Sequence, residues 1–176
     1  SADIYYKNTG NVRWYDQSSS VASGKPPVQL ATDYGLNRNS NFSRAWPYPH
    51  RPALEFSSVF NSDGTTLASN QQVVDPGQIV KYSISFSIPL GATPGFYAEG
   101  LRPVVQGVGP MNDTGTWLGV NVEKAIFSAQ PAGQSPYPDI TRGQVGSGYL
   151  RYKNTGNVAW YDNTSAWSNG SLPVKL

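Results

Sequence analysis

The chain has 176 residues, 14% of them charged, and a net charge of +2; its Lys and Arg are scattered singly, which excludes the clustered basic stripe of a nucleic-acid binder. It holds no cysteine and one histidine, so disulfides, thiolate metal sites and His-cluster metal catalysis are excluded. No apolar run approaches the roughly 20 residues that a membrane-crossing helix needs. No signal-peptide pattern is present, and the opening at Ser1 reads as a processed or excised piece of a longer chain.

Taken in chain order, Ile4 to Lys7 is a short β-prone run. Asn8-Thr9-Gly10-Asn11 is a turn, and Val12 to Tyr15 resumes as a strand, so the two are expected to form a hairpin. Pro27 to Ala31 and Ala53 to Phe60 are further short strands, the second followed by the turn signal Asn61-Ser62-Asp63-Gly64. The strongest strand is Gln78 to Ile88. There Val80, Tyr82, Ile84, Phe86 and Ile88 alternate with Lys81, Ser83, Ser85 and Ser87, which puts one face in a core. Thr93-Pro94-Gly95 turns into Phe96 to Val108, read as one strand kinked near Pro103, and Gly115 to Val122 follows. Residues 126–139 are rich in Ser, Ala, Gln, Gly and Pro and read as an extended linker. No ten-residue segment keeps a helical period. Many short strands punctuated by Gly and Pro predict an all-β fold, an antiparallel β-sandwich.

The chain also repeats itself. Lys7-Asn8-Thr9-Gly10-Asn11-Val12-Arg13-Trp14-Tyr15-Asp16 recurs as Lys153-Asn154-Thr155-Gly156-Asn157-Val158-Ala159-Trp160-Tyr161-Asp162, with one mismatch and an offset of 146 residues. The match runs on without a gap to Leu30 and Leu176. That period is a domain plus a linker, not a solenoid unit. The expected organisation is therefore a tandem repeat: a sandwich over residues 1–125 lacking its first strand, a linker over 126–139, and over 140–176 the beginning of a second repeat.

The order of these motifs resembles a known family. Lys-Asn-Thr-Gly-Asn-Val-x-Trp is followed by Pro-Val-x-Leu. Then come Pro76-Gly77 before the alternating strand, Pro94-Gly95-Phe96-Tyr97, and Met111-Asn112-Asp113-x-Gly115. The series resembles the immunoglobulin-like "four-tryptophan" domain of autophagy receptors, and more closely its bacterial cell-surface relatives. The resemblance implies an immunoglobulin-like fold, binding or spacing in place of catalysis, and an extracellular location on a secreted or wall-associated protein. It makes Trp14, Trp117 and Trp160 core aromatics, beside Tyr82 and Phe86 on the apolar face of the alternating strand. Pro110 stands where the family carries a further tryptophan.

Candidate chemistry is sparse. Glu55, Asp75, Glu99 and Asp113 are the acids weighed for paired-carboxylate hydrolysis, with Glu99 and Asp113 adjacent if their strands pair. His50 has no nucleophile motif to serve. Two Asx-rich turns, at Asn61 to Gly64 and Asn112 to Gly115, are weighed as calcium sites against ordinary turns. The long loop from Tyr34 to Arg51 sets Trp46, Tyr48 and Arg51 beside several Asn residues, a combination that sugar binding uses. No cofactor and no metal are expected. The leading expectation is a non-catalytic structural or adhesive repeat of a larger surface protein or filament. The alternative is a carbohydrate-binding accessory module whose partner is a cell-surface glycan. The two incomplete copies add an assembly expectation on the strands carrying Ile4 and Tyr6, and Leu150 and Tyr152: residues 126–149 of a neighbouring molecule complete the first copy by strand exchange, or residues 126–176 fold back within the chain and replace residues 4–30.

Overall fold

The computed structural model describes residues 1–33, 35–112 and 116–162. Over these described residues the protein is all-β, with several antiparallel sheets and one short helix. It divides into two compact units, Ser1–Val122 and Glu123–Leu176.

In the first unit, β1 (Ala2–Lys7), β6 (Ile79–Ile84) and β4 (Ser58–Phe60) form one sheet in the order β1-β6-β4. A second sheet joins β3 (Val28–Thr32), β7 (Gly95–Val105) and β8 (Gly109–Pro110), with β9 (Thr116–Val122) also on β7. A two-stranded ribbon pairs β2 (Trp14–Tyr15) with β5 (Val73–Val74). One apolar core draws Ile4, Val59, Val80, Tyr82 and Ile84 from the first sheet and Val28, Leu30 and Leu101 from the second. The period-2 pattern of β6 causes this. Val80, Tyr82 and Ile84 are buried, while Lys81 and Ser83 point the other way. Each such side chain adds about 1.5–3 kcal/mol on burial.

Four expectations are corrected. Ile4 to Lys7 and Val12 to Tyr15 do not form a hairpin, because β1 pairs with β6 and β2 with β5. The cause is Asn8, whose buried amide donates to the carbonyls of Val12 (2.9 Å) and Val74 (3.1 Å) while its Oδ1 accepts from Gly10 N–H (3.1 Å). The side chain closes the turn and hands the chain over to β5. Second, the strand expected to reach Ile88 ends at Ile84; Phe86 is half-buried against the core, and Ile88 is exposed. Third, the long strand to Val108 stops at Val105, where Gly107 (φ 76°) turns the chain and Val108 N–H donates to Val105 O (3.0 Å).

The fourth is a helix, α1 (Gln17–Ser23), in a stretch with no helical period. It exists because both ends are capped. Asp16 accepts from Ser19 N–H (2.8 Å), and Gly24 takes the left-handed conformation (φ 64°) that closes the last turn.

In the second unit, β10 (Ala129–Gln134) pairs antiparallel with β11 (Leu150–Asn154). The segment expected to be a linker over 126–139 thus contains a strand. Its proline is tolerated because Pro131 sits opposite Tyr152 at a position that donates no bond to β11. The ladder runs past β10, with Thr155 N–H donating to Ser128 O (3.1 Å) and Asn157 N–H to Ile126 O (3.1 Å).

Candidate functional site

Glu99 lies on β7 with only 2% of its surface exposed. Its oxygens accept from the Arg38 guanidinium and from Ser40 Oγ (2.8 Å). Ser40 Oγ in turn accepts from Phe42 N–H (3.1 Å). The carboxylate is therefore a clamp that ties the loop after β3 onto β7, with both oxygens engaged. Its expected companion Asp113 lies outside the described residues. Asp75 bonds Arg13 Nε (2.5 Å).

Glu55 receives the Ser18 hydroxyl (2.9 Å). Desolvation, and then a hydrogen bond with Asp16, hold its carboxyl above the ordinary range, against the Ser18 contacts. The carboxylate partner of Glu55 is thus the helix cap Asp16, a pairing that sequence spacing does not reveal.

The loop residues weighed for sugar binding are dispersed in role. Trp46 is buried at 8%; its Nε1 donates to Ser85 O (2.7 Å), and its ring meets Phe86 edge-on at 6.1 Å. Tyr48 is exposed and stacks on His50 at 6.2 Å. Arg51 spends its guanidinium on Gln29 Oε1 (3.1 Å), His50 O (3.2 Å) and Asn37 Oδ1. Burial lowers the Arg51 pKa from its ordinary value.

The first Asx-rich turn is held by Asp63, which accepts from the N–H groups of Thr65 and Thr66 (2.9 Å each). The Thr66 side chain, then those backbone donors, depress its pKa to about 2. Its oxygen is committed to the turn. The second turn falls largely outside the described residues.

Among the expected core aromatics, Tyr82 is fully buried, Trp14 and Phe86 pack half-buried against the core, and Trp160 is half-buried. Trp117 is corrected: it is 52% exposed. On β9 the alternation turns Leu118, Val120 and Val122 inward, so Trp117 lands on the outer face, edge-on to Phe96 at 6.2 Å. These two rings cover Gly119, where a Cβ would come within 2.7 Å of Phe96.

A groove of about 770 Å³ lies beside β1 in the first unit, lined by Tyr6, Gly10, Trp14, Val28, Val105 and Met111 among others. Its wall is a sheet edge. Asn8 N–H donates to Gln78 O (2.9 Å), and Lys81 O, on the opposite edge of β6, accepts from Ser57 N–H (2.9 Å). These bonds set the parity of the ladder: Ala2, Ile4 and Tyr6 exchange backbone bonds with β6. The backbone groups of Asp3, Tyr5 and Lys7 point away from β6, toward the open side, and no strand among the described residues pairs there. Sequence reasoning named Ile4 and Tyr6 on this strand but missed that Asp3, Tyr5 and Lys7 carry its open edge. Only the pairing partner fixes that parity.

The same turn recurs in the second unit. Asn154 Nδ2 donates to Val158 O (2.7 Å), and Gly156 N–H to Asn154 Oδ1 (3.0 Å). There the edge carrying Leu150 and Tyr152 turns their backbone groups away from β10, because Tyr149, Thr155 and Asn157 are the residues that bond the 126–135 segment.

Comparison of the chain with protein-family models, with curated proteins and with solved structures finds no match in any of the three.

Proposed function

We propose that this protein is a non-catalytic structural or adhesive repeat, an immunoglobulin-like β-sandwich module in tandem on a larger extracellular surface protein or filament. The observation that carries the reading is the 146-residue repeat together with its geometry. The Lys-Asn-Thr-Gly-Asn block folds into the same Asn-closed turn in both units, with matched bonds of 2.9 and 2.7 Å from the amide and 3.1 and 3.0 Å to it. A module reused with its local architecture intact suits an array. The polar residues weighed for chemistry also support it. Glu99, Asp63, Asp75 and Arg51 are each spent on holding loops or turns.

The test is surface accessibility on cells of the source. Antibody labelling of intact cells and loss of the signal on protease shaving are expected. A purely internal location would overturn the reading, as would turnover of any substrate abolished by Glu99→Gln or His50→Ala.

One observation favours a glycan-binding role: Tyr48, 54% exposed and stacked on His50, offers a small aromatic platform. Glycan-array binding lost on Tyr48→Ala, with the fold retained, would move the assignment there.

A further inference from the structure

Three matched positions behave differently in the two copies of the repeat. Thr155 N–H donates to Ser128 O (3.1 Å) and its Oγ1 to Ser128 Oγ (2.8 Å), whereas the matching Thr9 is exposed with no hydrogen-bond partner among the described residues. Asn157 grips the incoming segment with three bonds: N–H to Ile126 O (3.1 Å), Oδ1 from Ile126 N–H (2.7 Å), and Nδ2 to Lys124 O (3.0 Å). The matching Asn11 is exposed and makes no such bond among the described residues.

Glycine gives the sharpest contrast. A Cβ on Gly156 would sit 2.0 Å from Ile126 O, so only glycine admits the strand there. Among the described residues a Cβ on Gly10 would meet only Asn8 Oδ1 at 3.4 Å and Val12 N at 4.0 Å, and its φ is outside the left-handed region. Nothing among the described residues of the first unit demands a glycine at position 10. A strand laid against it, as residues 126–128 lie against Gly156, would.

The edges agree. The 126–135 segment pairs with β11 along the side that bears the backbone groups of Tyr149, Thr155 and Asn157. By the 146-residue offset that is the side bearing Asp3, Thr9 and Asn11, the open side of β1. The groove of about 770 Å³ runs beside this same edge. The side chains of Ala129 and Pro131 share the face of Asn154 and Tyr152, which corresponds to the inward face of Asn8 and Tyr6. Phe127 continues that face by alternation and is 63% exposed.

We infer that residues 124–135 of a second copy of this chain pair antiparallel with β1 along its open edge, in the register that β10 keeps on β11. Gln130 then faces Lys7, Ile126 faces Asn11, and Phe127, Ala129 and Pro131 enter the groove toward Tyr6, Trp14 and Met111. Exchange is downhill because both strands of the β10–β11 ladder are exposed, and a bare two-stranded ladder is marginal. On β1 the same strand keeps its ladder and gains an apolar groove.

Residues 124–135 of the same molecule do not reach this edge, because the covalent path is too short. Val122 pairs with Gly95, and the four residues on to Ile126 reach at most about 14 Å. The groove floor at Pro103 and Val105 lies roughly 26–33 Å along β7 from Gly95. Donor and acceptor surfaces differ, so the contact is head-to-tail and propagates. The inference rests on the reading of the chain as a non-catalytic repeat, but surface labelling can succeed while strand exchange fails, so the two are separable.

The cysteine-free sequence makes the test direct. Full-length Lys7→Cys and Gln130→Cys chains are mixed and oxidised. A disulfide heterodimer is expected at about tenfold the yield of Lys7→Cys mixed with Ser62→Cys, an exposed turn position out of register. Adding Gly10→Ala to the Lys7→Cys chain should abolish the excess while leaving the melting temperature within about 2 °C, since the new methyl meets none of the described residues of its own chain closely. Gly156→Ala, which expels the segment from β11, should raise the yield. Yields equal to the out-of-register control would overturn the inference. So would an excess that survives Gly10→Ala, or a Lys7→Cys/Gln130→Cys double variant that closes its disulfide within one monomer.

Discussion

Arg38→Met is predicted to be among the most damaging single changes near the β3–β7 junction, although Arg38 is itself 34% exposed. The reason is what it leaves behind. Glu99 is 2% exposed and would be left with Ser40 Oγ as its donor among the described residues. Removing one partner of a buried pair costs about 3–5 kcal/mol. The partial exposure of Arg38 lets water soften the loss, so about 2–3 kcal/mol is expected. For the unit Ser1–Val122 the unfolding entropy is about 0.26 kcal/mol/K, so the midpoint should fall by about 8–12 °C. Replacing both partners, in Arg38→Met/Glu99→Met, should recover at least half of the loss, because no uncompensated charge remains. Calorimetry of the two single variants, the double variant and the parent forms a double-mutant cycle. A fall below about 3 °C for Arg38→Met, or a double variant as unstable as the sum of the singles, would refute the clamp.

Tyr82 is fully buried, its hydroxyl lacks a hydrogen-bond partner among the described residues, and burial pushes its pKa above the ordinary tyrosine value. Tyr82→Phe should therefore be neutral or stabilise by up to about 1 kcal/mol in denaturant unfolding, and a loss of more than that would reveal a partner for the hydroxyl. Asp63, with its pKa depressed to about 2 from 3.8, contributes stability that is complete above about pH 4 and is lost as the pH falls toward 2. Asp63→Asn should flatten the fall in melting temperature between pH 5 and pH 2, and identical slopes for variant and parent would remove this role. Trp46→Ala should cost about 3–5 kcal/mol through the lost ring packing, and Trp46→Phe about 1 kcal/mol through the bond to Ser85 O. If Trp46→Ala leaves the melting temperature unchanged, the ring does not anchor the loop.

Where the causes are local, they were readable from the residues. The alternation in β6 named Tyr82 as core because period 2 on one strand needs no knowledge of its neighbours. The turn at Asn8 was legible because the Asx side chain bonds its own backbone. Helix α1 was missed because its stability resides in two caps, Asp16 and Gly24, and not in a periodic apolar face. Trp117 was misplaced because its inward or outward direction depends on the register of β9 against β7, which places Leu118 opposite Glu99.

The 146-residue repeat, the all-β class and the absence of thiol chemistry are therefore properties of the sequence by itself. They follow from residue types and spacings that no folding can alter. Tertiary pairing alone decided that β1 joins β6 and not β2, that Glu99 meets Arg38, and that Asp3, Tyr5 and Lys7 face an open edge. Strand partners, buried ion pairs and edge parity are relations between segments tens of residues apart. Such relations are set by which surfaces close on a common core, and no local pattern encodes them.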